Sequence, residues 1–511
     1  MTERPSTERP RTQSRGIFRK KSVDTVIHQN DEGHQLEGGR LKQALRTRDL
    51  IGFGVGMVIG TGIFTLTGVQ AKNNAGPAIM ISFVVAGVIA LFAAFCYAEL
   101  ASAVPTAGSS YTYAYTTLGE IIAWIIGWDL ILEFALGAAV VSRGWSGYLQ
   151  DVFNLPTTFF GESSTVNLGA VAIALVLGVV ATIGIKESGW LTNALVYLKV
   201  SICVFIIIAG LFFIKAANYT PFIPPAQPTG GDGGLRQPLW QWATGVEATA
   251  FGVAGVLFAS AVVFFSYSGF EIVANLGEET KNPARAMTRG LLGTLLICTV
   301  LYVGVCFVVV GMVHYTDLSE GAPLSDAFNQ VGLSWAGVLV GIAAVAGLTS
   351  VILVDIVGMS RIGFALARDG LVPHSAGKIH PKWQTPYRIT MLTTAVVVLL
   401  GAFVPLSALA EMVSIGTLFA FLVVSVAVPV LRRTQPEMKR PFRVPWSPVL
   451  PIISAICCAA LMVNLAIETW IRFVVWLVIG LGIYFFYGRT HSNLARANRD
   501  SSVRAEGSPA S

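Results

Sequence analysis

Five glycines fall within eleven residues in the run Ile51-Gly52-Phe-Gly54-Val-Gly56-Met-Val-Ile59-Gly60-Thr61-Gly62-Ile-Phe64. Two chemistries fit that spacing. Gly52, Gly56 and Gly60, four residues apart, could form a small-residue seam against another helix. Alternatively the helix could unwind in mid-course and free backbone N–H groups. Beside the positive end of a helix dipole, those groups would receive a carboxylate. A second stretch, Phe264-Phe265-Ser266-Tyr267-Ser268-Gly269-Phe270-Glu271, sets three hydroxyls, a glycine and a carboxylate within another apolar run. Short glycine-interrupted segments at corresponding positions of two halves are the strongest sequence pointer to a binding site between them. The second stretch therefore favours the unwound reading of the first. The halves show no direct sequence likeness, so the repeat rests on this positional match.

Charges inside apolar runs need a reason, because one at a helix centre costs at least about 2.5–3.5 kcal/mol. Lys199, in Leu198-Lys199-Val-Ser-Ile, either snorkels to the nearer end of its run or is a buried ammonium bonded to the broken first helix. An ammonium held out of water is a candidate proton carrier. Glu133, in Trp128-Asp129-Leu-Ile-Leu-Glu133-Phe, and Glu271 are the carboxylates best placed to face a central cavity. Asp129 and Asp355 are less certain, since helix phase could turn them towards neighbours. Arg143 suits an ion pair or an outer interface, and Glu99 and Arg361 suit an inner gate or surface salt links. The six histidines fall in tails, loops or span ends, which leaves no intramembrane cluster for a metal or haem. No nucleophile–base pair of the kind an enzyme needs is evident either. The six cysteines lie in apolar stretches without CxxC spacing and read as small buried side chains.

The elements that must position these groups are membrane helices. Of 511 residues, 54% are hydrophobic and only 13% charged, with a mean hydropathy of +0.65. Soluble domains carry about 25% charge, so a soluble multidomain enzyme is excluded. With about 20 apolar residues per crossing, spans are predicted near 50–71, 78–104, 120–149, 166–184, 191–214 and 253–277. Six more follow near 290–313, 333–360, 387–404, 409–431, 449–469 and 472–488. Strands are excluded, because the runs are continuous and lipid tolerates no open sheet edge. With the N-terminus inside, 29 of the 35 Lys and Arg fall in the tails and inner loops. Only Lys72, Lys215, Arg236 and Arg472 are left to the outer loops. That asymmetry orients both termini to the cytoplasm. It also makes the net charge of +6 a topology signal rather than a sign of nucleic acid. Residues 1–46 and 489–511 are polar and read as disordered cytoplasmic tails. They flank a core over 47–431 and two further spans over 432–488.

At this level of detail the chain resembles the amino acid–polyamine–organocation permease superfamily, and most of all its cationic amino acid transporter branch. The pieces that carry the resemblance are Gly56-Met-Val-Ile-Gly-Thr-Gly-Ile-Phe64, Tyr97-Ala-Glu-Leu with Pro105-Thr-Ala-Gly-Ser-Ser-Tyr111, and Gly127-Trp-Asp-Leu-Ile-Leu-Glu-Phe134. Two more are Phe264 to Glu279 with Thr-Lys-Asn-Pro283 after it, and Ser360-Arg-Ile-Gly-Phe-Ala-Leu-Ala-Arg-Asp-Gly-Leu-Val-Pro373. In order they cover nearly all of 45–488.

The resemblance implies an all-α polytopic fold of twelve transmembrane helices. These form a LeuT-type 5+5 inverted repeat with broken helices 1 and 6. It implies secondary transport of an amino acid without ATP or cofactor. By position, the backbone of Ile59, Gly60, Thr61 and Gly62 would hold the α-carboxylate. The carbonyls of Phe265, Ser266 and Ser268 would take the α-ammonium, with Phe265 as an aromatic lid. Lys199 would replace the sodium ion of sodium-coupled relatives, which favours proton coupling. Two departures stand out. Glu271 takes a place where related transporters often carry Asp, and the chain has twelve spans where animal members have fourteen. The expectation is proton symport of cationic amino acids (Arg, Lys, ornithine), with Glu133 and Glu271 meeting the side-chain charge, in the plasma membrane. Neutral amino acids such as Ala, antiport with amino acids or polyamines, and a non-transporting sensor are the alternatives. A small membrane subunit as partner is left open.

Overall fold

The computed structural model describes residues 16–21, 45–103, 109–184, 189–229, 234–276 and 280–496. Apolar sequence becomes helix here because a backbone away from water must satisfy its own N–H and C=O groups. The chain opens with α1 (Thr47–Val58). After residues 59–61 it resumes as π and α turns over Gly62–Leu66, Thr67–Gln70 and Ala71–Ala75. Next come α2 (Ile79–Ala103), the short α3 (Ser109–Thr117), α4 (Glu120–Phe153), α5 (Leu168–Ile183) and α6 (Gly189–Gly210). α7 (Gly252–Val263), α8 (Pro283–Met312), the short α9 (Pro323–Gln330), α10 (Ser334–Arg368), α11 (Tyr387–Phe403) and α12 (Leu406–Thr434) follow. The last two are α13 (Val449–Val463) and α14 (Ile467–Ile483). A two-stranded ladder pairs Gln227 with Ala250 and Pro228 with Thr249 in a loop between α6 and α7.

Eight helical runs among the described residues are long and apolar enough to cross a membrane, and α5, α11 and α13 are shorter apolar helices. Large apolar side chains such as Ile208, Leu296, Val300, Leu392 and Val478 stand exposed on the outer faces. A water-soluble protein would not present so many, whereas lipid solvates them. The protein is a polytopic helical membrane protein. Pieces of the predicted motifs at 104–108 and 277–279, and Lys186, lie outside the described residues.

The two predicted interruptions are present. α1 stops at Val58 and Ile59 is extended, with φ −73° and ψ 98°. The second break follows α7, where a 3-10 turn over Phe264–Tyr267 ends at the extended Ser268, φ −61° and ψ 148°. Gly269 then takes φ +103°, a conformation other side chains rarely adopt. The four-residue glycine seam does not hold as one face. Nothing lies near a Cβ at Gly52, Gly56 abuts Val196 of α6, and Gly60 is only in ordinary contact with Val351 of α10.

Part of each tail is folded rather than disordered. Lys21 pairs with Asp369 at 2.7 Å and Arg19 with Glu120 at 3.6 Å, both carboxylates being buried. Glu120 also accepts from Ser492, and the Asn493 N–H donates to the Asp369 carbonyl at 3.0 Å. Composition reads these segments as solvated. What it misses is that two buried carboxylates, one opening α4 and one closing α10, demand cations. Residues 1–15, 22–44 and 497–511 lie outside the described residues.

Glu99, near the end of α2, receives Arg432 of α12 at 2.6 Å and the Val444 N–H at 2.6 Å, with Arg440 at 3.7 Å. Removing one partner of a buried pair leaves a charge uncompensated. Arg432→Ala is expected to destabilise the protein by about 3 kcal/mol, read as a lower thermal midpoint in detergent. An unchanged midpoint would show that water already solvates the pair.

Candidate functional site

Both breaks open on one buried cavity of about 30 Å³. Gly60, Thr61 and Gly62 form one wall, and Phe265, Ser266, Ser268 and Glu271 form another. Glu133 of α4 and Asp355 of α10 complete its polar lining. Ile59 is fully buried just behind the wall rather than on it. A volume of this size admits about one water-sized group, short of an amino acid.

The first wall is a helix start. Thr61 caps the helical run that resumes at Gly62, with Gly60 just before it, and the first N–H groups of a helix have no acceptors within it. Around them the hydroxyls of Thr61, Thr65 and Ser266 are buried without a hydrogen-bond partner among the described residues. Unused buried donors beside a helix N-terminus make a ready receptor for an anion. The two breaks touch closely enough that a Cβ at Gly62 would collide with the side chain and backbone of Ser266.

The second wall supplies acceptors, two of them already engaged. The Phe265 carbonyl accepts from the Ser268 N–H at 3.0 Å, and the Ser266 carbonyl accepts from the Tyr302 hydroxyl at 3.0 Å. Each carbonyl keeps a second lone pair for a ligand. Glu133 Oε1 accepts from the hydroxyls of Ser268 at 2.7 Å and Thr417 at 2.8 Å. The Glu271 carboxylate folds back onto the Gly269 N–H at 3.0 and 3.1 Å. The acids thus hold the break in shape as well as facing the cavity.

Lys199 is buried, and its Nζ donates to the Gly56 carbonyl at 2.6 Å. Its stem runs along α10 at Gly347. The ammonium therefore reaches the last turn of α1, where the unwinding begins, and does not snorkel.

Several contributors are left uncertain or missed by the sequence reading. Asp355 does face the cavity. Tyr302 of α8 donates to the carbonyls of both Val58 and Ser266, at 2.6 and 3.0 Å. Tyr148 donates to the Phe64 carbonyl at 2.5 Å. Ser414 accepts from the Phe265 N–H at 3.2 Å and donates to the Val262 carbonyl at 2.8 Å. Thr417 completes the set. The only signal for them was a hydroxyl in an otherwise apolar helix. Arg143, by contrast, is in the expected ion pair, with Glu162 at 2.9 Å, and also holds the Gly401 carbonyl at 3.0 Å.

A polytopic bundle with two interrupted helices meeting at a central polar cavity has the build of a membrane transporter. Residues 45–485 match the family described as amino acid permease. The chain belongs to that family, within the amino acid–polyamine–organocation superfamily. It is 40% identical to the methylthioribose transporter of Bacillus subtilis, an alignment covering 94% of this chain and 99% of the relative. It is 41% identical to the branched-chain amino acid permease BcaP of the same organism, with the same coverage. Identity is 31% to the vacuolar cationic amino acid transporter 4 of Arabidopsis thaliana, over 94% and 97% of the two chains. These relatives are permeases and transporters, and the chain is accordingly a permease and not an enzyme.

Proposed function

We propose that the protein imports α-amino acids by proton symport, cationic ones in preference, through alternating access around the two breaks. The observation that carries this reading is the convergence of a helix-start donor set and a carbonyl set on one cavity with three carboxylates. Gly60, Thr61 and Gly62 take the substrate carboxylate, and Phe265, Ser266 and Ser268 take its ammonium. Glu133 and Glu271 meet a basic side chain. Fully ionised, Glu133, Glu271 and Asp355 against Lys199 would leave the site two charges negative. A substrate of net charge +1 and one proton together neutralise it, which an intramembrane site requires.

Within the same proposal the chain crosses the plasma membrane twelve times with both termini in the cytoplasm. Spans 1–10 over 47–431 form a 5+5 inverted repeat of the LeuT type. The windows predicted for the spans are occupied by helix, which supports this count.

Neutral amino acids are the second candidate. They are favoured by the apolar flank of the cavity, Val141, Ile272, Val351 and Val413, and by the 41% identity to a branched-chain permease. Uptake of labelled Arg, Lys, Leu and Ala into proteoliposomes, with and without a pH gradient, separates the readings. Sodium dependence without pH dependence would defeat the symport reading. Glu271→Gln is expected to weaken Arg and Lys uptake by about tenfold, the loss of one charge-assisted contact, and Leu uptake far less. Equal loss for all four substrates would remove the reason to prefer basic ones.

A further inference from the structure

We propose that Asp129, outside the substrate cavity, is a proton-holding carboxylate of the transport cycle that exchanges its proton with Glu133. The inference deepens the symport reading and rests on it. Asp129 is fully buried in α4, and neither carboxylate oxygen has a hydrogen-bond partner among the described residues. α12 faces it with Gly416, where even a methyl group would sit 3.0 Å from Oδ1. Glu133 follows one turn on along the same helix, and no cation is paired with Asp129 among the described residues. An ionised carboxylate with neither donor nor cation is costly in such a place, so in this arrangement the neutral acid is favoured and ionisation waits on a change in its surroundings.

Glu133 has the opposite surroundings. It lies one turn on, about 6 Å along the axis, and receives two hydroxyl donors, from Ser268 and Thr417. A proton passing from Asp129 to Glu133 breaks one O–H bond and forms another, and it moves a negative charge one turn along α4. Ser268 belongs to the second break. Any movement of that break which withdraws its hydroxyl leaves Glu133 short of a donor and favours the transfer. Thr417 follows Gly416 on α12, so one short stretch of that helix faces both acids. Asp129 lies on the side of the cavity towards Glu120, where α4 begins and the two tail segments dock. The position suits a relay between the site and that face of the protein.

Asp129→Asn keeps the size and neutrality of the protonated acid but carries no exchangeable acidic proton. In proteoliposomes the variant is expected to exchange labelled amino acid down its own gradient at the wild-type rate. Accumulation under a one-unit pH gradient should be about tenfold lower, the value of one proton removed from the stoichiometry. Accumulation equal to wild type would overturn the proposal. Should Asp129→Asn fail to insert, infrared difference spectra on substrate addition are recorded for protein with isotope-labelled aspartate, in an Asp355→Asn background. A protonated-carboxyl band that shifts with the label and responds to substrate supports the assignment, and its absence overturns it. Wild-type protein indifferent to the pH gradient would defeat the symport reading instead, and the infrared result then decides for Asp129 alone.

Discussion

Lys199→Ala protein is expected to exchange amino acid across the bilayer yet lose accumulation driven by a pH gradient. At one unit of gradient the loss is about tenfold for a one-proton symporter. The ammonium is buried between α1 and α10, and its 2.6 Å bond ends on the Gly56 carbonyl, three residues before the break. A cation there that comes and goes with its proton would alternately tie and release the end of α1. Lys199→Arg is the companion variant, since a guanidinium keeps the charge and does not release a proton. It should bind substrate and fail to couple. Full accumulation in both variants would reduce Lys199 to a structural peg.

Gly62→Ala should abolish uptake while leaving the protein in the membrane. Its Cβ would meet the Ser266 Cα, Cβ and Oγ, so backbone rather than a flexible side chain has to yield. Overpacking of this kind costs about 1–3 kcal/mol or more, and about 2.7 kcal/mol already corresponds to a hundredfold loss of binding. Gly52→Ala is the control, because nothing lies near its Cβ. Measured Kd values for substrate should separate the two by that factor. A Gly62→Ala protein with wild-type affinity would show that the two breaks do not form one site.

The broken spans were legible because glycine pairs and a Ser-Tyr-Ser-Gly sequence are out of place in apolar helices. Gly60 and Gly62, Ser266 and Ser268, and the buried Lys199 announced themselves by residue type. Asp355 did not, because a carboxylate on a long helix can face any of several neighbours and only packing decides which. Tyr302, Ser414 and Thr417 were hidden for another reason. Each is an ordinary hydroxyl whose importance lies in the distant carbonyl or carboxylate it meets. Pairing of Arg19 and Lys21 with Glu120 and Asp369 was likewise invisible, since a basic tail and a helix-end acid hundreds of residues away share no local pattern. Side-chain selectivity was the least legible, because in the proposed reading the breaks meet only the groups every amino acid has in common. The proposed cationic preference in turn rests on carboxylates that also brace the backbone.

The Tyr302 hydroxyl has one hydrogen and two carbonyls to serve, Val58 at 2.6 Å and Ser266 at 3.0 Å. One hydrogen cannot serve both fully, so a shift of one interrupted span that strengthened its bond would weaken the bond to the other. Tyr302→Phe would remove that shared hydrogen while keeping the ring that packs against Phe83 and Tyr267. The two segments would then tilt independently.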